Sequence, residues 1–143
     1  MAEFKAVKAG QIYMGKLAHG ADLLEELNGF CRERGIRLGR IEGLGAVKVA
    51  CLGFYDQQSF EYRTTVVEKP MEITNLVGNV SIKDGEPFVH AHVTLLDENH
   101  QSYGGHLMPG TVVFACEVIM ESFDGPDFER GLDAQTGLPL WRF

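Results

Sequence analysis

Residues 71–107 read MEITNLVGNVSIKDGEPFVHAHVTLLDENHQSYGGHL, and the fold is decided there. Met71 to Lys83 and Pro87 to Leu96 are two β-rich runs separated by Asp84-Gly85. Both central residues of a tight hairpin turn need positive φ, which Asp-Gly tolerates, so the pair predicts a β-hairpin. A second polar reversal follows at Leu96-Asp97-Glu98-Asn99-His100, and a short strand then leads to His106-Leu107. Beyond the Met108-Pro109-Gly110 turn, Thr111 to Met120 is almost continuously apolar, as expected of a buried strand.

Working outward, Ile36 to Ile41, Ala46 to Tyr55 and Phe60 to Val67 are further strand candidates, rich in β-branched and aromatic residues. Successive strands joined by short turns imply antiparallel pairing. One clear helix precedes them, over residues 22–34. Leu23, Leu24, Leu27, Phe30 and Cys31 form one apolar stripe. Asp22, Glu25 and Glu26 suit its positive end, Arg32 and Arg34 its negative end, and Gly35 its stop. The class is therefore α+β, mostly antiparallel sheet with one main helix, and the 143 residues fit one domain, 1–143. The glycine- and proline-rich segment Phe123 to Phe143 is expected to wrap the domain as irregular structure, anchored by Leu138, Leu140 and Trp141.

Composition narrows the function. The net charge of −7 opposes non-specific binding to nucleic-acid phosphates. The densest basic run, Arg32 to Arg40, is interrupted by Glu33 and reads as a helix end plus a solvated strand. No apolar run is long enough for a membrane helix, and Met1 to Lys5 lacks the start of a secretory signal, so a cytoplasmic protein is expected. Cys31, Cys51 and Cys116 are far apart and odd in number, which predicts reduced core thiols. Neither a Gly-x-Ser-x-Gly elbow nor a phosphate-binding loop is present. Gly43-Leu44-Gly45 reads as a turn or bulge.

The chemistry concentrates in His90-Ala91-His92. On a strand, positions i and i+2 project from one face, so both imidazoles point the same way. The return through residues 97–100 brings His106 alongside, with the hairpin centred near residues 98 and 99. Gly104 and Gly105 permit a close backbone approach or a bulge there. Three imidazoles with a vacant position are a familiar zinc arrangement, though copper, iron and nickel also suit imidazole. A lone histidine on a sheet is usually just a wet-face polar residue, and His19 and His100 are read so. Glu117, inside the apolar run Val112 to Ile119, is a candidate general base or second-layer partner, or else an edge residue facing solvent or another subunit. Asp97 is expected to cap its turn.

The block Gly78-Asn79-Val80-Ser81, Gly85, His90-Ala91-His92, Asp97, Gly104-Gly105-His106-Leu107, Gly110, Glu117-Val118 resembles the plants-and-prokaryotes conserved (PPC) domain. Ile41-Glu42-Gly43-Leu44-Gly45-Ala46-Val47, Leu52 to Asp56 and Met71-Glu72-Ile73 extend the likeness over nearly the whole chain. Glu42 stands where a small residue is more usual. The resemblance implies a homotrimer in which His90, His92 and His106 hold a divalent metal, zinc above all. The family's DNA-binding label derives largely from a plant AT-hook, whose Arg-Gly-Arg core this chain lacks. Three functions follow: a metal-binding oligomeric module, a metal-dependent hydrolase or lyase acting on a small molecule, and a DNA-binding protein.

Overall fold

Asp22 opens the only helix. Its carboxylate accepts a hydrogen bond from the Glu25 backbone N–H at 3.0 Å, satisfying a donor that a helix end leaves free. In the computed structural model, which describes residues 1–143, this helix (α1) spans Leu23–Arg34 and stops at Gly35, whose φ of 65° suits glycine. Nine strands accompany it: β1 (Lys8–Lys16), β2 (Gly39–Asp56), β3 (Glu61–Val67), β4 (Met71–Lys83), β5 (Glu86–Leu96), β6 (Ser102–Leu107), β7 (Val112–Asp124), β8 (Arg130–Leu132) and β9 (Pro139–Trp141). The α+β reading holds, with antiparallel pairing throughout the named strands.

The long strand β2 organises the sheet. Its first half lies between β7 and β4, and its second half pairs with β3 and, at Leu52 and Gly53, with β6. Because β4 pairs with β5 and β5 with β6, the strands β2, β4, β5 and β6 close into a ring. The sequence treated Ile36 to Ile41 and Ala46 to Tyr55 as separate strands; they are one, kinked by a bulge at Gly43 to Gly45. Gly45 has φ of 148°, and a Cβ there would run into the Ala115 carbonyl, so only glycine fits. The Asp84-Gly85 turn is as expected, with φ of 53° and 84°.

Leu23, Leu27 and Cys31 of α1 pack against the inward residues of the sheet, among them Leu76, Val89, Val93 and Leu107. Each fully buried leucine or valine stabilises the fold by roughly 2 kcal/mol. Asn28 adds a polar link, its Oδ1 accepting from the Val89 N–H at 2.9 Å. Two elements depart from the sequence reading. Strand β1 pairs with β7 at the sheet margin but exposes nearly all its side chains, so no apolar alternation marks it. Residues 123–143 are more ordered than expected. Strand β7 continues to Asp124, and β8 and β9 form a small hairpin of their own. Leu138 is half-buried, but Leu140 and Trp141, expected as anchors, are exposed; the buried anchor is Phe128, on which the Trp141 and Phe143 rings rest edge-on. No helix is long and apolar enough to cross a membrane.

Candidate metal centre

Strand β5 sends Val89, Ala91, Val93 and Leu95 into the core, which leaves Phe88, His90, His92 and Thr94 on its other face. His92 sits directly opposite His106 in the β5–β6 ladder, and His106 sits opposite Gly53 of β2. Three strands therefore converge on the site. The β5–β6 register is unbroken, so the glycines serve close approach rather than a bulge. A Cβ on Gly105 would lie 2.7 Å from the Gly53 carbonyl oxygen, and one on Gly104 would lie 2.8 Å from that of Val93.

The three histidines each present a ring nitrogen, and these atoms lie within 4.8 Å of one another. His90 Nε2 and His92 Nε2 are 3.3 Å apart. Two nitrogens bound tetrahedrally to one ion at about 2.0–2.1 Å stand about 3.3 Å apart, so the spacing suits either a shared ion or a hydrogen bond between the rings. The His106 ring supplies a sharper test. Its Nδ1 is buried and has no hydrogen-bond partner. Such an orphan costs about 1–3 kcal/mol unless something satisfies it. Burial, then the charge of Arg130, holds the His90 pKa down at about 4. Burial, then His92 and Arg130, also lowers that of His106. Both rings are thus neutral at neutral pH, with the lone pairs that ligation requires. The residues present fit a nitrogen-preferring divalent ion.

A cavity of about 570 Å³ opens onto these rings. Tyr62, Phe88, Met108 and Leu140 line it, together with two cations, Lys83 and Arg130. The Tyr62 ring rests 5.0 Å from that of His106. Arg130 was not foreseen from the sequence. It reaches the site from β8, donating to Ser81 Oγ at 2.7 Å and Asn79 Oδ1 at 2.8 Å, both on β4.

The other sequence candidates fall elsewhere. Glu117 is exposed on β7 between β1 and β2, in a separate depression beside Met14, Lys16 and Leu44, and does not line the histidine cavity. Asp97 caps its turn, accepting from the backbone of Asn99 and Gln101 at 2.9 Å, and pairs with Lys69 at 2.7 Å. His19 and His100 are exposed, and all three cysteines are buried and free. In the basic run, Arg37 pairs with Asp127 and Arg40 with Glu121 and Glu42.

Comparison with known proteins places this arrangement in a lineage. The crystal structure of a metal-containing protein from Archaeoglobus fulgidus is similar over 99% of this chain and 100% of its own, with a TM-score of 0.95 and 40% identity. A plant- and prokaryote-conserved (PPC) protein from Pyrococcus horikoshii matches over 99% of this chain and 98% of its own, with a TM-score of 0.93 and 34% identity. Among curated proteins, the bifunctional protein GlmU of a Synechococcus strain is 30% identical over 129 residues, 89% of this chain. The chain spans about a fifth of the length of the curated relatives it matches. Residues 4–124 match the Plants and Prokaryotes Conserved (PCC) domain, and the chain, with its ring of strands and its histidine hairpin, belongs to that family.

Proposed function

We propose that this protein holds one divalent transition-metal ion, zinc in the first instance, on His90, His92 and His106, and works as a homotrimer. The observation that carries the metal reading is the convergence of three imidazole nitrogens within 4.8 Å, one ring keeping a buried nitrogen without a partner. The metal-containing relative from Archaeoglobus fulgidus supports it. Elemental analysis of purified protein tests it. Roughly one ion per chain is expected in the wild type and almost none in His92→Ala. Equal metal in both proteins removes His92 from the site. The trimer draws support from Met14, Leu44 and Ile119, large apolar side chains exposed together around one depression, the kind of surface that closed assembly covers. Light scattering is expected to give three times the 15.8 kDa chain mass, and a monomer's mass would remove the trimer.

A second reading, a metal-dependent hydrolase or lyase acting on a small molecule, is favoured by the cavity in front of the rings. A bound divalent ion would supply Lewis acidity to a molecule held there. The chain's own contribution would be to exclude water with Tyr62, Phe88 and Leu140 and to offer protons from Tyr62 and Lys83. Direct DNA binding is the less favoured reading, because the chain is acidic and the arginines Arg37 and Arg40 of its densest basic run are already paired.

A further inference from the structure

Arg130 is a residue of the cavity that the three histidines do not explain. It is half-buried, and burial lowers its pKa below the usual arginine value. Its hydrogen-bond acceptors are Ser81 Oγ, Asn79 Oδ1 and the Pro139 carbonyl, at 2.7, 2.8 and 3.1 Å. All three are neutral. Arg37 and Arg40, by contrast, each meet a carboxylate. A tether whose only task was to fix residues 125–143 to β4 would be completed most simply in that way. A guanidinium has five N–H donors. Three are used by these bonds, so one on each terminal nitrogen remains free for a ligand.

The surroundings point the same way. Arg130 lies 5.5 Å from the Phe88 ring and 5.6 Å from the Trp141 ring, cation–π contacts that flank the guanidinium. Lys83 adds a second positive charge to the lining. No aspartate or glutamate lines the cavity, although the chain carries 20 of them against 13 lysines and arginines. An acidic protein has thus kept a cationic, carboxylate-free recess whose walls are mostly aromatic and aliphatic.

We infer that this cavity binds a small organic oxyanion, a carboxylate or phosphate ester, whose charged end is held by Arg130 and whose apolar body lies against Tyr62, Phe88 and Leu140. Charge-assisted, forked hydrogen bonds to a guanidinium suit that class of group. The inference names the ligand of the site described above and rests on the metal reading only for what the histidines then do with it. Arg130, reaching the cavity from β8, would be a specificity-determining residue.

The single tryptophan, Trp141, packs beside Arg130 and reports on the site through its fluorescence. The experiment titrates benzoate, phenyl phosphate and neutral benzamide into the full chain, once zinc-loaded and once after chelation. Benzoate or phenyl phosphate should give a saturable change, with benzamide about tenfold or more weaker, and the tighter of the two anions identifies the preferred head group. Arg130→Gln should abolish the preference for the anion. Because that variant also loses tethers, Asn79→Asp serves as the second. The carboxylate it introduces sits where Asn79 Oδ1 now accepts from Arg130, so it keeps the tether, neutralises the guanidinium and should weaken anion binding about tenfold or more. Equal affinity for benzoate and benzamide, or undiminished benzoate binding in a folded Asn79→Asp protein, overturns the proposal. Anion binding that persists in a wild type unable to take up zinc supports the Arg130 site and overturns the metal reading alone.

Discussion

Strands β5 and β6 place their imidazoles by pairing, whereas residues 125–143 place Arg130 by side-chain tethers. In the hairpin, each histidine's direction follows from strand alternation and from the direct opposition of His92 and His106. In the final segment, the backbone just ahead of β8 touches the sheet through one parallel bridge, Ile82 to Glu129, and one N–H bond from Ile82 to the Phe128 carbonyl. The rest is held by the buried Phe128 ring, by Arg37 on Asp127, by Arg130 on Asn79 and Ser81, and by Tyr55, whose hydroxyl donates to the Thr136 carbonyl at 2.7 Å. The two halves of the cavity are therefore separable. One half sets the three imidazoles; the other is a strap that brings Arg130 and Leu140 to the cavity.

That separation can be broken experimentally, beginning with the largest effect. His106→Ala should reduce bound metal from roughly one ion per chain to nearly none, while Arg130→Gln should leave metal content unchanged; elemental analysis of both checks this. If Arg130→Gln also empties the site, the halves are not independent. Gly105→Ala comes next. Its new methyl would stand 2.7 Å from the Gly53 carbonyl oxygen, so β2 and β6 must part, at a cost of about 1–3 kcal/mol in urea unfolding and with weakened metal retention. Arg130→Gln itself should cost about 2 kcal/mol of stability, through its bonds to Ser81 and Asn79. The smallest effect belongs to the hairpin turn. Hydrogen bonding to Lys69, then to the Gln101 and Asn99 backbones, holds the Asp97 carboxyl at about 2, below its ordinary 3.8. A depressed carboxyl stabilises the fold above the unfolded value and loses that contribution as pH falls through the folded one. Melting temperature should therefore drop between about pH 4 and pH 2 in the wild type, and drop less steeply in Asp97→Asn.

The same contrast explains what could be read from the sequence. His90, His92 and His106 were legible because a two-residue repeat and a polar reversal fix both face and partner. Asp84-Gly85 and the Asp22 to Gly35 helix were legible because local backbone demands choose those residues. Strand β1 was not, because it exposes both faces and its place depends on β7. Arg130 was not, because β8 and β9 are three residues each, too short for any periodicity, and their position comes from distant partners on β2 and β4. The one local signal was the turn at Asp133 to Gly137, where the Asp133 carboxylate accepts from Thr136 and Gly137 has φ of 71°. Glu117 had two readings, and the structure matches the outward-facing one. An acidic residue inside an apolar run looks buried, but alternation puts it on the outward side of β7.

One consequence concerns the exposed reversal between Leu96 and Ser102. Surface loops normally tolerate drift in length, since added residues spill into water. Here a single inserted or deleted residue that shifted β6 against β5 by one step would exchange the positions of its side chains through the sheet. The imidazole of His106 would be carried into the hydrocarbon interior and Leu107 out to the solvent side. The span of that loop thus acts as a phase setting for the whole centre, fixed as tightly as any residue in the protein's interior.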